Sequence, residues 1–238
     1  MITVGVLGFQ GFVGSAIFQA LKERSSIHTV GINRHSFEDN EIRKLRFDYL
    51  IHSGNPAGRF YANSNPQDDY HETVEKTRII LREFNFNRFF LVSSLSCRTA
   101  PNTPYGSNRL KCEQIVRKVL NATILRLGPM YGGTRTRDTL HDLVHSRDIF
   151  YAKDTKYSYA DIAWIGKFFA SNLCHFSTDL FEIGAKNFVS LEEIAFHIGS
   201  KSRFLGPNDD QIIRGFQDGP DARLVLNFAL GLKESNSI

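Results

Sequence analysis

The chain has 238 residues, of which 42% are hydrophobic and 23% charged, enough for one sizeable core and a small appendage. Its apolar runs fall short of the ~20 residues that cross a bilayer, which argues against a membrane span. A net charge of +4 with pI near 9.0 suits anionic ligands such as nucleotide phosphates, but no basic cluster interleaved with aromatics points to nucleic acid.

In chain order, apolar runs alternate with amphipathic stretches in the βαβ manner of a parallel sheet. Met1–Gly8 has neither a basic segment nor a small-residue cleavage site. It reads as a first buried strand, Thr3–Leu7, and not as a signal peptide. A helix at Phe12–Glu23 and strands at Thr29–Ile32 and Tyr49–His52 follow. Residues 53–68, with two Asn-Pro pairs and glycine, read as a long excursion above the sheet. The alternation continues with helix Asp69–Phe84, strand Arg88–Val92, helix Tyr105–Leu120 and strand Ala122–Leu127. A helix at Thr139–Ser146, a strand at Ile149–Ala152, a helix at Asp161–Leu173 and a strand at Leu180–Ile183 are predicted next, with Asp161 as an N-cap. Ser190-Leu191-Glu192-Glu193 fits the S-x-x-E capping box and opens a further helix, and the tail Glu234–Ile238 is expected to fray. Cys97, Cys112 and Cys174 lie far apart with no CxxC pair, which speaks against a disulfide framework or zinc site and for a reducing, cytoplasmic compartment.

Between the first strand and the first helix stands Gly8-Phe9-Gln10-Gly11-Phe12-Val13-Gly14. Gly8 permits a tight turn, Gly11 lets backbone N–H groups approach a pyrophosphate, and Gly14 lets helix and strand pack closely, with the phosphates at the helix N-terminus. Gln10, Phe12 and Val13 are therefore candidate cofactor contacts. The second strand ends in Gly31-Ile32-Asn33-Arg34-His35-Ser36, without the acid that would take the ribose hydroxyls of NAD. Arg34 can stack on adenine and grip a 2′-phosphate, with Asn33 and Ser36 adding hydrogen bonds. NADP(H) is the expected cofactor, with NAD admissible.

Tyr105-Gly106-Ser107-Asn108-Arg109 sets a phenol and a cation one helical turn apart. A tyrosine beside a fixed cation loses its proton more easily, which suits proton transfer to or from a sugar hydroxyl or ketone. Lys111, six residues on, would stand about 240° round the helix and cannot serve.

Taken together these segments resemble the extended short-chain dehydrogenase/reductase family in its NAD-dependent epimerase/dehydratase, nucleotide-sugar branch. The resemblance also rests on Ile51-His52-Ser53-Gly54, Val92-Ser93-Ser94, and Leu125-Arg126-Leu127-Gly128-Pro129-Met130-Tyr131-Gly132. Tyr157–Ala163, Phe181–Gly184 and Ser190–Ala195 extend it through most of the chain. It implies an α/β fold, a Rossmann-type doubly wound parallel sheet with a small C-terminal substrate-binding lobe. Residues 1–128, with 157–184 returning, would form the dinucleotide-binding domain, and 129–156 with 185–238 the lobe. The implied activity is hydride transfer between a nicotinamide and a nucleotide-activated sugar, by an oxidoreductase or epimerase. Tyr105 would be the acid/base, Ser94 (or Ser93 or Ser96, one register away) the hydroxyl partner, and Arg109 the cation that holds the nicotinamide ribose. Ser53, Gly54 and Pro129 would line the cofactor, and Arg135 and Arg137 would meet the substrate diphosphate. Cys97 is a candidate second acid/base, with a buried inert thiol as the alternative, and His52 reads as a packing residue.

Four departures shape the expectation. Arg109 stands where the motif has lysine; Leu95 and Ser96 follow Ser94 where dehydratases carry an Asp-Glu pair; the link between the second and third strands is short; and the C-terminal part is compact. The alternative is a catalytically weak or inactive dinucleotide-binding regulatory protein of the same fold. Helices Asp69–Phe84 and Tyr105–Leu120 could pair two copies as a homodimer.

Overall fold

The computed structural model describes residues 1–235. Five strands frame the first half: β1 (Ile2–Leu7), β2 (Ile27–Ile32), β3 (Arg46–His52), β4 (Asn85–Ser94) and β5 (Ala122–Leu127). With Leu180–Ile183 they make a six-stranded sheet in the order β2-β1-β3-β4-β5-(Leu180–Ile183), and all pairs among β1–β5 are parallel. Strands buried on both faces need near-continuous apolar runs, and Val4, Val6, Leu50, Ile51, Phe89, Phe90 and Leu91 are all buried. Leu7 pairs with both Ile32 and His52, so β1, β2 and β3 end level and their loops emerge side by side. The order reverses at β1, which makes this edge the topological switch point where α/β sheets bind ligands.

Two helical layers cover the sheet. On one face a three-part helix and the tyrosine helix (Pro104–Val116) place Val74, Ile80, Cys112 and Val116 against Leu7, Phe47, Leu50 and Phe89. The three-part helix runs as Pro66–Tyr70, a π turn at His71–Glu75, and Lys76–Glu83. It begins earlier than the predicted Asp69, because Pro66 fills the first helical position, where no N–H is needed. The tyrosine helix stops at Val116 rather than Leu120, and Asn121 (φ 62°) turns the chain into β5. On the other face Phe169 meets Phe90 edge-on at 5.3 Å. A Cβ on Gly166 would lie 2.4 Å from the Ala16 carbonyl oxygen, so glycine there allows its helix to touch the first helix (Phe12–Lys22).

The chain divides into two compact units: Met1–Leu127 with Gly166–Phe181, and Gly128–Ile165 with Glu182 onward. The expected return of 157–184 to the first unit is thereby narrowed to 166–181. Tyr157 and Tyr159 are buried in the second unit's own core, and Tyr157 pairs with Val189. The second unit contains helices Thr139–Val144, Leu191–His197 and Leu224–Ser235, packed through Leu140, Leu143, Leu191, Ile194, Val225 and Ala229. Ser190 Oγ accepts the Glu193 N–H at 3.1 Å, as the capping box predicts. The strand expected at Ile149–Ala152 does not form. Only Ile149 bridges, to Phe204, while Phe150 is exposed. Glu234 and Ser235 belong to a helix that sequence reading did not anticipate, and the rest of the tail lies outside the described residues. Among the described residues no helix is long and apolar enough to cross a membrane. The cysteines are free thiols, with Cys97 and Cys112 buried.

Candidate active site

The glycine loop is shaped by three close approaches. Gly8 has φ +77°, a conformation that side chains disfavour, and its N–H donates to the Ile32 carbonyl at 2.9 Å. A Cβ on Gly8 would lie 2.5 Å from Gly54 Cα, and one on Gly14 would lie 2.1 Å from the Gly8 carbonyl oxygen. Ser53 completes the clamp, its Oγ donating to the Leu7 carbonyl at 2.6 Å. Gly11, the N-cap of the first helix, has no side-chain cap, and the first turn carries no acid. The helix therefore presents its positive end without a built-in anion. Gln10 is exposed beside it, with Phe12 and Val13 half-buried.

A cavity of about 640 Å³ opens at the switch point. Its walls come from the ends of β1, β2 and β3 (Leu7, Gly8, Ile32, Asn33, Arg34, His52, Gly54) and from one face of the three-part helix (Glu72, Lys76, Ile79, Ile80). Asn33 Oδ1 accepts from the N–H groups of His35 and Ser36 and from Ser36 Oγ. That oxygen thus shapes the loop, leaving the amide NH₂ as the Asn33 group able to serve a ligand. Arg34 is 87% exposed and comes within 3.8 Å of Glu72, which also accepts from Lys76 at 2.5 Å. The hydrogen bond from Lys76 is the main reason the Glu72 carboxyl is held below its ordinary pKa.

His52 closes the floor of this cavity as a buried, neutral ring. Thr77 Oγ1 gives its own proton to the Thr73 carbonyl, so His52 Nε2 donates to Thr77 at 3.2 Å while Nδ1 accepts the Gly54 N–H at 3.3 Å. Burial, reinforced by the positive charge of Arg109 and Lys76, pushes its pKa down to about 3.

Tyr105 and Arg109 are both buried in the tyrosine helix. Thr103 caps that helix by accepting the Gly106 N–H at 3.1 Å, and Pro104 fills its first position. A Cβ on Gly106 would lie 2.0 Å from the Ala100 carbonyl and 2.6 Å from that of Ser96. Glycine after the tyrosine therefore lets the helix press onto the turn that follows β4. Ser94 stands at the end of β4, its Oγ accepting the Ser96 N–H at 3.2 Å. The Arg109 guanidinium lies 4.6 Å from the centroid of the Tyr105 ring. It donates to Thr73 Oγ1 at 2.7 Å and to the Pro56 carbonyl, tying the tyrosine helix to the π turn and to the loop after β3. Asn108 adds a bond to the buried Asp69 at 2.9 Å. Lys111 sits over the Tyr70 ring at 5.2 Å, away from this arrangement.

Behind Ser94 lies a charged core. Glu113 is fully buried, accepts Ser93 Oγ at 2.7 Å, and forms a two-bond pair with Arg126 at 2.8 and 2.6 Å. Ser93 is thus engaged with Glu113, and Ser96 is fully buried, which leaves half-buried Ser94 as the strand-end hydroxyl. Cys97 is buried against Ser93, and burial raises its thiol to about 12, as expected of the buried-thiol alternative.

Pro129, Arg135 and Arg137 belong to the second unit. The Pro129 carbonyl accepts the Ala160 N–H at 3.1 Å, Arg135 is half-buried, and Arg137 is exposed in the loop before Thr139–Val144. Asp161 Oδ1 accepts the N–H groups of Ala163 and Trp164, as an N-cap does.

Sequence reading missed Glu72 and Lys76. Their spacing with Ile79 and Ile80 does mark one helical face, but nothing local says that this face borders the glycine loop.

The level ends of β1–β3, the glycine clamp and the cavity between them define an α/β protein of Rossmann type. Residues 4–154 match the NAD dependent epimerase/dehydratase family, and the chain belongs to that family. No curated protein sequence matches the chain. Among solved structures it is similar to the UDP-glucuronic acid 4-epimerase of Bacillus cereus in complex with UDP-glucuronic acid and NAD. That pair shares 20% identity over 95% of this chain and 93% of the other, with TM-score 0.72. The UDP-N-acetylglucosamine 4-epimerase of Methanobrevibacter ruminantium, in complex with UDP-N-acetylmuramic acid, gives TM-score 0.76 at 14% identity over 100% and 99%. A dTDP-4-dehydrorhamnose reductase from Clostridium acetobutylicum gives 0.74 at 12% over 98% and 100%. At such identities the likeness is one of fold.

Proposed function

We propose that the protein is a nicotinamide-dinucleotide-dependent oxidoreductase or epimerase acting on a nucleotide-activated sugar, with NADP(H) preferred over NAD(H). The observation that carries the reading is the glycine clamp at the switch point, where Gly14 leaves no room for a Cβ beneath an uncapped helix N-terminus. Gly8, Gly11 and Gly14 would seat the pyrophosphate, Arg34 the adenosine end, and Ser53 and Gly54 the far wall. Family membership supports a nicotinamide dinucleotide and a nucleotide sugar, as do the UDP-sugars and NAD bound by similar structures, while the NADP(H) preference rests on Arg34 alone.

Bound there, the dinucleotide would supply the hydride acceptor and donor. Tyr105 takes the proton from the sugar hydroxyl as its carbon is oxidised and returns it on reduction. Ser94 orients that oxygen by hydrogen bonding. Arg109 keeps a positive charge beside the phenol ring and holds the Pro56 loop in place. Pro129, as a nicotinamide neighbour, and Arg135 and Arg137, as partners of the substrate diphosphate, are roles that the family resemblance implies, and single substitutions test each. The smaller unit is thus read as the substrate lobe, and pairing of two copies through the two long helices would make a homodimer, which light scattering tests.

One observation favours a second reading. The Arg109 guanidinium already donates to Thr73 and Pro56, where a lysine of the usual motif would reach for ribose. A dinucleotide-binding regulator without turnover would tolerate this. Titration with NAD(H) and NADP(H), followed by a screen of nucleotide sugars for cofactor reduction, separates the readings. Tighter binding of NAD(H) would remove the stated preference, and binding of either cofactor without turnover of any sugar would favour the regulator.

A further inference from the structure

The second cation of the adenosine pocket comes from the three-part helix rather than from the end of β2. We infer that Lys76 and Arg34 form a two-cation seat for the 2′-phosphate of an adenosine nucleotide, with Glu72 as the internal counter-ion that this phosphate displaces. The inference rests on the dinucleotide reading above and adds to Arg34, at the β2 end, two specificity residues from the three-part helix, Lys76 and Glu72.

Arg34, Glu72 and Lys76 all line the same cavity. Glu72 lies 2.5 Å from Lys76 Nζ and 3.8 Å from Arg34. Lys76 is not a freely solvated lysine, since its side chain is 24% exposed and it lines the pocket together with Ile79 and Ile80. Among Arg34, Glu72 and Lys76 one carboxylate stands between two cations and leaves one positive charge uncompensated, while Glu38, which lines the same cavity, is paired with Arg43 at 2.7 Å. A phosphate monoester carries about −1.5 to −2 at pH 7 and would satisfy both cations at once. The Arg34 fork can meet two phosphate oxygens and the Lys76 ammonium a third. A ribose 2′-hydroxyl is uncharged and cannot replace Glu72, so a nucleotide lacking the phosphate leaves the Lys76–Glu72 pair intact. Glu72 opposes the phosphate by like-charge repulsion and so limits the preference that the two cations create. An ordinary i,i+4 helix pair would hold the same two residues together, but it would not place them in a pocket wall opposite an arginine from another loop.

The test compares 2′,5′-ADP with 5′-ADP by calorimetric titration of the full chain. Lys76→Met should weaken 2′,5′-ADP by about tenfold and change 5′-ADP by less than about twofold, in line with loss of one charge-assisted contact. Lys76→Arg should retain the discrimination, and Glu72→Gln should tighten 2′,5′-ADP several-fold while leaving 5′-ADP alone. Equal weakening of both nucleotides by Lys76→Met in a protein that melts normally would overturn the inference. So would Glu72→Gln weakening 5′-ADP, because Glu72 would then be holding ribose hydroxyls. Either result, with 5′-ADP still binding the wild-type protein, leaves the dinucleotide reading standing. Failure of the wild-type protein to bind either nucleotide, with NAD(H) and NADP(H) also failing, overturns both.

Discussion

Arg126→Met tests whether the charged core behind Ser94 holds the tyrosine helix in register with the sheet. Glu113 is fully buried, and its carboxylate receives two bonds from Arg126 and one from Ser93. Removing the arginine leaves a buried carboxylate with Ser93 as its remaining hydrogen-bond donor among these three. Breaking a buried pair from one side costs about 3–5 kcal/mol. In a domain of this size each kcal/mol moves Tm by roughly 2–4 °C, so a fall of roughly 6–20 °C is expected. Differential scanning calorimetry reads it. Glu113→Leu combined with Arg126→Met removes both charges and should recover most of the loss, since apolar replacement of a buried pair is often close to neutral. A single variant within about 1 kcal/mol of wild type, or a double variant no more stable than the single, would show that the Glu113–Arg126 pair does not hold the helix.

Three further outcomes follow from the same geometry. Gly14→Ala places a methyl 2.1 Å from the Gly8 carbonyl, so the loop must shift; a cost of about 1–3 kcal/mol and a loss of dinucleotide affinity are expected, read by melting and by cofactor titration. Arg109→Lys keeps the charge but loses the fork that reaches both Thr73 and Pro56, and sugar turnover should fall. A sharp rise instead would mark the natural chain as one that has drifted from catalysis. His52 binds a proton in the unfolded chain at its ordinary pKa of 6.5 but in the fold only near pH 3, so stability falls as pH drops between those values. The slope is at most about 1.4 kcal/mol per pH unit, and urea unfolding should show it flattened in His52→Gln.

The geometry of the glycine loop was legible because it is local. The apolar runs fix β1, β3 and β4, and parallel pairing then aligns Leu7, Ile32 and His52, so glycine spacing alone sufficed to locate the clamp. The capping box at Ser190 was readable for the same reason. The helix Leu224–Ser235 carried a readable signal in Leu224, Val225, Phe228, Ala229 and Leu232, and was overlooked. What could not be read were partnerships set by tertiary approach. Arg109 meets a carbonyl from the loop after β3 and a threonine from a π turn, and no periodicity announces either. Glu72 and Lys76 look like an exposed helix pair until the sheet order brings their face to the pocket. Ile149–Ala152 failed as a strand because a short apolar run does not specify a pairing partner, and only Ile149 found one.

In the proposed reaction Tyr105 moves the proton in a hydride transfer on a sugar. Stopped-flow measurement of cofactor reduction by a nucleotide sugar, in wild type and Tyr105→Phe, tests it most directly, with cofactor affinity determined on both proteins. With Tyr105 as the acid/base, cofactor binding stays unchanged and the rate is at least about 100-fold lower in Tyr105→Phe, the usual worth of a positioned acid/base. Equal rates in the two proteins would contradict it.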